Sequence, residues 1–522
     1  GAVGATSPLQ TLTTDTAGTT KINGGTVTTV GTQTYNDTLV LGAATKLTTT
    51  DSAVTAAGAV TATSGALTLA VGAGDVTMNN VSNDFGTVAV ISGKNVTLRD
   101  KNALDLGASA ITGTLTVNTS GAITQSGAMA VTGVTTLAAG VGNNIILSNT
   151  ANDFSTVTVT TGNNITVNDK NAMTAGPVTA AGNVLLQTAT GVGNSLTLAG
   201  NIQSTGGGIT LASGENIHYG TNTLIAAMRW LTYSVDPAND TGTTPTPGNP
   251  KPNIYNSTFA ALGPGVVLPG TGNHHVYSTQ PTISYTANPA ARTYGAANPA
   301  FSGTATGLVN GDTAADAYSG TLTFASTATA ASNAGSYDIN GSGLTSGIGY
   351  KFAQAPANAT AFTINPATLT YNANAANRLY GAANPALSGT VAGFVLGETQ
   401  ATATTGTLSF TTPAVANSNV GSYALNGGGL AANNGNYVFV QAPANATAFT
   451  INPATLTYTA NAANRLYGAA DPAFSGTVTG FVLGETQATA TAGALSFTTP
   501  AVANSNVGTY ALNGGGLTAN NG

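Results

Sequence analysis

The sequence predicts an all-β protein: a right-handed parallel β-helix followed by tandem small β domains, β-grasp-like or sandwich in type. Three observations carry that prediction. Charged residues make up only 6% of 522, while Gly, Ala, Thr and Asn dominate, so the chain lacks the charge patterns of solvent-facing helices. The first half repeats a three-residue unit, apolar-Thr-apolar, between Gly and Asn clusters; side chains alternate faces along a strand, so each unit turns two apolar groups inward and one Thr outward. The second half spells one module three times, as ARTYGAANPAFSGTATGLVNGDT at residues 291–313, NRLYGAANPALSGTVAGFVLGET at 377–399 and NRLYGAADPAFSGTVTGFVLGET at 464–486.

Bulk properties narrow the function classes. A chain of 522 residues exceeds one compact core and divides into domains or repeats. Apolar residues reach 42% and alternate with Thr, which argues against a disordered linker. The net charge is −6 with no run of Lys or Arg, so nucleic acid is not an expected partner. No apolar run is long enough for a membrane-spanning helix, and the start GAVGATSPLQ lacks the features of a signal peptide, as expected of a mature or excised segment. There are no cysteines, which suits a chain exported unfolded, with no thiols to lock it midway.

Residues 1–223 are expected to form the β-helical shaft. Its units include Leu67-Thr68-Leu69, Val96-Thr97-Leu98, Leu115-Thr116-Val117 and Ile165-Thr166-Val167, separated by turns such as Gly162-Asn163-Asn164. A longer period lies on top. Asn-Asp-Phe and Asp-Lys-Asn-Ala at residues 83–85 and 100–103 return 69 residues later at 152–154 and 169–172, about three coils of roughly 20 to 23 residues. Phe85 and Phe154 are therefore expected inside the core.

With the segment TQTYNDTLVLG at residues 32–42, these repeats resemble the shafts of filamentous-haemagglutinin-like exoproteins of Gram-negative bacteria. That resemblance implies secretion through an outer-membrane partner, the two-partner route, and an extracellular or cell-surface location. A β-helical lyase or glycosidase needs clustered carboxylates with a basic partner, whereas the acids here are scattered and the stacked pair, Asp100 and Asp169, lies in Lys-containing turns. The calcium-binding nonapeptide is absent. An ice-binding Thr lattice needs strict ranks, and the units fall at irregular spacings, so Thr reads as a soluble, β-favouring residue.

Residues 224–281 read as a cap and joint. Residues 224–233, LIAAMRWLTY, hold the single Trp, Trp230, expected to cover the solenoid end; residues 236–252 have the composition of an extended linker. His274 and His275 are adjacent, so on a strand they face opposite ways and share no metal. No metal or cofactor is expected anywhere.

The modules are bounded at residues 282–366, 367–453 and 454–522. Copies two and three match at 61 of 69 positions, and the third stops before the Phe-Thr-Ile-Asn-Pro that ends the first two at 362–366 and 449–453, so the natural chain is expected to continue. The motifs Arg-x-Tyr-Gly-x-x-Asn-Pro, Ser-Gly-Thr and Gly-Phe-Val-x-Gly-Glu-Thr resemble the bacterial MBG domain of the Tyr-Gly-x type, which implies a small β fold from surface-adhesin arrays. Arg292, Arg378 and Arg465 each precede an acid, Asp312, Glu398 and Glu485, by 20 residues, which predicts three structural ion pairs. The alternative use of these arginines is a glycan-binding patch with Tyr294, Tyr380 and Tyr467. Copies two and three contain no lysine, which excludes Lys–Asn isopeptide stiffening there.

The expected function is a non-enzymatic adhesin segment whose partners are a glycan or a host or matrix protein. Two readings compete with it: a self-assembling filament, in which other copies of the chain are the partners, and a carbohydrate-active enzyme.

Overall fold

The computed structural model describes residues 1–62, 65–243, 252–268 and 272–521 of the chain. The protein is all-β with 5% helix. Its contacts form two compact units, one of residues 1–285, 305–322 and 342–354, the other of residues 286–304, 323–341 and 355–522. The residues of the first module are divided between them.

The first unit is built on a parallel β-solenoid of about 11 turns. Among the described residues its strands form a 15-stranded, a 12-stranded and a 4-stranded sheet. Every coil-to-coil pairing is parallel, as in Val76–Met78 against Val96–Asp100 and Ile145–Leu147 against Ile165–Asp169. The apolar-Thr-apolar units supply these strands with the expected facing: in Val54–Ala56, Val76–Met78 and Leu196–Leu198 the outer two residues are buried and the central Thr is half-exposed. Stacked inner positions then make columns. Leu104, Ile123, Ile145, Ile165, Val184, Ile209 and Trp230 follow one another in register and are all buried.

The outer face departs from expectation. Thr13, Thr34, Thr55, Thr77, Thr97, Thr116, Thr136 and Thr158 lie in one unbroken rank of directly paired residues. The sequence steps between them vary from 19 (97 to 116) to 22 (55 to 77), and the turns absorb the difference. The irregular spacing in sequence therefore conceals a regular rank in space. On its C-terminal side the next outward positions are unlike, Arg99 pairing with Asn118 and Asn118 with Ala138, and on the other side a short second run pairs Thr156, Thr174 and Thr197.

The 69-residue repeat marks the most elaborate polar packing. Phe85 and Phe154 are buried in the core. The asparagine two residues before each is also buried and spans neighbouring coils: Asn83 accepts from Val60 N at 2.8 Å and donates to Met78 O and Arg99 O at 3.0 Å each. Asn152 accepts from Met129 N at 2.9 Å and donates to Leu147 O and Asn168 O at 3.2 Å each. Unpaired, such amides would be costly in a narrow core; paired, they fix the register of coils that alternate apolar residues alone would leave free to slip.

Residues beyond Thr223 continue the solenoid. Leu224–Ala226 pairs with Ile202–Ser204, and the 12-stranded sheet runs on through Trp230–Ser234 to His274–Tyr277. Trp230 is thus a core residue overlaid by one further strand, where its ring lies 5.0 Å from that of His275. Of the expected linker, residues 244–251 lie outside the described residues. The histidines are engaged separately: His275 Nδ1 with Thr232 Oγ1 at 2.6 Å, His274 Nδ1 with Pro252 O at 2.9 Å and His218 Nδ1 with Thr241 Oγ1 at 2.7 Å. Burial and the neighbouring His274 depress the pKa of His275 to about 4, so it is neutral.

The second module shows the modular fold in full. Ala367–Ala373 pairs parallel with Tyr437–Gln441 and antiparallel with Gly389–Ala392. Phe449–Asn452 runs between Ala376–Leu379, parallel, and Gly421–Tyr423, antiparallel. Thr404–Thr411 and Asn426–Ala432 form an antiparallel pair. In the short 3₁₀ turn Pro443–Thr447, Asn445 is buried and ties three segments together, donating to Tyr371 O at 2.9 Å and accepting from Ala373 N and Leu425 N at 2.9 Å each, through its side-chain and backbone oxygens respectively.

Candidate functional site

The recurring stretch contains two devices that meet between successive copies. One is the turn before the acid. Asn310, Leu396 and Leu483 have φ of 51°, 55° and 53°, each followed by a glycine at 70°, 73° and 74°. The acid's backbone N–H closes the turn onto Val309 O, Val395 O or Val482 O at 3.0 Å. Two left-handed residues in succession make a primed turn. For leucine that conformation costs roughly 1 to 2 kcal/mol, so its presence in two copies is held in place by what surrounds it.

The other device is Tyr-Gly. The Tyr294 hydroxyl donates to Glu398 Oε1 at 3.2 Å, and Tyr437 donates to Glu398 Oε2. Tyr380 donates to Glu485 Oε1 at 2.9 Å. The glycine after each tyrosine has positive φ, 81° at Gly295 and 79° at Gly381. A Cβ there would stand 2.5 Å from Val395 Cγ2 or Val482 Cγ2 of the next copy's turn, so glycine is required by both backbone conformation and space. Asn436 adds a second link, accepting from Ala334 N at 2.8 Å and donating to Asn333 Oδ1 at 3.0 Å.

Within the first unit the same socket is filled from the segment that joins Trp230–Ser234 to His274–Tyr277. Asp312 accepts from Tyr255 at 2.6 Å, Asn253 Nδ2 at 2.6 Å and Tyr350 at 2.8 Å. Tyr350 and Tyr437 are counterparts, each also accepting the N–H of the turn valine, Val309 at 3.1 Å and Val395 at 3.0 Å. Burial pushes both phenols up to about 12, with the accepting carboxylate adding to the shift. These hydroxyls are fixed donors near neutral pH.

The predicted ion pairs are not formed. Arg292 donates from Nε to Asn298 Oδ1 at 2.8 Å, from Nη1 to Thr293 O at 3.1 Å and from Nη2 to Thr329 O. Arg378 repeats this with Asn384 Oδ1 at 2.7 Å, Leu379 O at 3.0 Å and Val415 O at 2.5 Å. Arg465 pairs at 2.5 Å with Asp471, the residue aligned with Asn384, and not with Glu485. The constant 20-residue offset follows from the repeat period and places the two groups at separate tasks, the arginine locking loops of its own module and the acid receiving the preceding tyrosine.

The expected glycan patch is likewise not assembled in the first two copies. Arg292, Arg378 and Tyr294 are buried, and the guanidinium carbons lie 5.6 Å from the Phe362 ring centroid and 5.9 Å from that of Phe449. Tyr467 differs, being 66% exposed. The tyrosine–acid contact was latent in the sequence: Tyr294 to Glu398 is 104 residues and Tyr380 to Glu485 is 105, one module plus 18. Only a search across copies would expose it.

Sequence comparison agrees with both periods. Residues 24–92 and 93–161 match a family described as repeats of unknown function (DUF5649). Residues 283–360, 369–447 and 456–521 match the MBG domain (YGX type). No curated protein and no solved structure matches the chain. The C-terminal region is thus a run of MBG repeats of the YGX type, set after a parallel β-solenoid.

Proposed function

We propose that this chain is a segment of a non-enzymatic, secreted bacterial surface protein that projects from the cell and mediates attachment to other cells or to matrix. The observation that carries this reading is repetition at every level: stacked solenoid coils, then modules whose most distinctive residues are spent on holding one copy against the next. The carboxylates support it too. Asp100 and Asp169 are buried under backbone N–H groups, Asp84 and Asp153 pair with Lys101 and Lys170 in turns, and the module acids face tyrosines. Export through an outer-membrane partner belongs to the same proposal, on the likeness of the shaft repeats to filamentous-haemagglutinin-like exoproteins.

The test is adhesion of beads coated with the whole chain to epithelial cells, to matrix-protein films and to a glycan array, against albumin-coated beads. Adhesion above the control on at least one surface is expected. Equal adhesion on all of them would reduce the chain to a spacer.

A further inference from the structure

The second module begins and ends on strands held by parallel partners. Ala367–Ala373 lies beside Tyr437–Gln441, from Ala367 opposite Tyr437 to Tyr371 opposite Gln441. Ala376–Leu379 lies beside Phe449–Asn452, from Ala376 opposite Phe449 to Leu379 opposite Asn452. The N-terminal members of the two pairs follow each other directly in the chain, and the C-terminal members are joined by the turn Pro443–Thr447.

That order fixes what tension along the chain does. Pulling the module by its ends draws residues 367–379 from their N-terminal side and residues 437–452 from their C-terminal side. Neighbouring strands that point the same way and are drawn from opposite ends slide along each other, so their slanted, evenly spaced bonds are strained together and not one after another. The antiparallel pair Thr404–Thr411 and Asn426–Ala432 lies in the stretch that this load bypasses.

Both pairs are closed at each end. Ala367 N donates to Asn436 O at 2.8 Å and Ala442 N to Tyr371 O at 2.9 Å in the first; Ala376 N donates to Ala448 O at 2.9 Å and Tyr380 N to Asn452 O at 2.8 Å in the second. Asn445, in the turn between the C-terminal strands, adds a crosspiece to the first strand: its Nδ2 donates to Tyr371 O and its Oδ1 accepts from Ala373 N, both at 2.9 Å. Leu369, Phe449 and Ile451 are fully buried and Asn445 is buried with them, so water is poorly placed to replace these bonds as they stretch.

We propose that the second module is a load-bearing clamp, whose two parallel strand pairs carry tension along the chain in shear. The inference goes beyond the attachment reading, because the load path follows from strand order whatever the chain binds.

The test is single-molecule pulling of the whole chain in two directions. The chain has no cysteine, so cysteine substitutions give unique handles. Asn365→Cys with Pro453→Cys, both exposed positions, pulls the module end to end. Asn365→Cys with Asn434→Cys, also exposed, draws the first pair apart from one end and peels it from Ala367 onward. At one loading rate the end-to-end rupture force should be at least about twice the peeling force, since forced unfolding follows the barrier along the direction pulled. A second variant separates direction from stability. Ala442 has φ of −62°, which suits proline, so Ala442→Pro keeps the backbone path and removes the donor to Tyr371 O. That bond is loaded at once in the end-to-end direction but stands at the far end of the pair from where peeling starts. The variant should therefore lower the end-to-end force by about a tenth or more and leave the peeling force unchanged, with hydrogen exchange at Leu369 and Ile451 as in the parent. Equal rupture forces in the two directions, or an equal loss in both for Ala442→Pro, would overturn the proposal.

Discussion

In the solenoid each inner side chain meets the equivalent side chains of the coils before and after it, as in the column from Leu104 to Trp230. Between the modules, coupling rests on a few polar contacts, Tyr294 with Glu398, Tyr380 with Glu485 and Asn436 with Ala334 and Asn333. The first arrangement spreads energy over many apolar contacts. The second places it on a few polar groups whose loss leaves a buried partner unpaired. The two regions should therefore fail differently: the solenoid by loss of volume in its core, the array by loss of one acceptor.

The largest effect is expected from Phe154→Ala. Phe154 is 1% exposed in the solenoid core, and truncation should cost about 3 to 5 kcal/mol. Urea unfolding followed by circular dichroism would show an early loss of the solenoid transition, while hydrogen exchange in residues 367–521 stays as in the parent. Equal losses in both regions would remove the contrast between them.

Next come the acceptors. Glu398→Ala strands two phenols, those of Tyr294 and Tyr437, both 5% exposed, and should cost about 1 to 3 kcal/mol. Glu485→Ala removes one partner of the half-buried Tyr380 and should cost about 0.5 to 1.5 kcal/mol. Native-state exchange at Ala290–Thr293 and Tyr437–Gln441 for the first variant, and at Ala376–Leu379 for the second, reads the two separately. If the second variant cost as much as the first, the number of hydroxyls held would not be what sets the strength of the contact.

Buried acids sharpen the same comparison through pH. Asp100 and Asp169 accept backbone N–H groups, from Phe85 at 3.2 Å and from Phe154 at 2.5 Å. Burial outweighs those bonds and lifts both acids from their ordinary value to about 6. The folded chain thus holds protons that the unfolded chain releases near pH 4, so unfolding between about pH 4 and 6 releases protons. Stability from these groups is fully present below pH 4, falls as pH rises to about 6 and stays low above it. Screening near the coil surface brings the change to on the order of 1 kcal/mol for each acid. The urea midpoint of the solenoid should be higher at pH 4.5 than at pH 7.5, and a chain carrying Asp100→Asn and Asp169→Asn should lose most of that dependence.

Much of this organisation was legible in the sequence. The alternation of apolar residues and Thr gives the strands, and the 69-residue return of Asn-Asp-Phe gives a long period, although not the whole number of coils expected of it: Val96–Asp100 lies in the 15-stranded sheet and its counterpart Ile165–Asp169 in the 12-stranded one. Two things were not. The threonine rank was hidden because coils of 19 to 22 residues share one register only after turns take up the excess. The partners of the arginines and acids were misread because a fixed offset inside a repeat records the repeat period, and nothing local says that an acid is satisfied by the copy before it. Linear spacing reports periodicity well and contact poorly wherever the contact crosses copies.

The smallest effect should come from Lys101→Ala. Its pair with Asp84, 2.9 Å long, recurs 69 residues later as Lys170 with Asp153 at 2.8 Å, and repetition invites the inference that both are important to the shaft. Exposure argues otherwise, for the Lys101 side chain is 50% accessible and that of Lys170 49%. The lysine's hydrogen bond draws Asp84 below the usual carboxylate range, helped by Asn102, whose Nδ2 donates to Asp84 Oδ1 at 2.9 Å. That second donor remains when the lysine is removed. The urea midpoint should move by less than about 0.5 kcal/mol equivalent, and 1 M salt should erase the difference. A loss comparable to that of Glu398→Ala would mean that turn charges, and not only the buried asparagines Asn83 and Asn152, hold the coils in register.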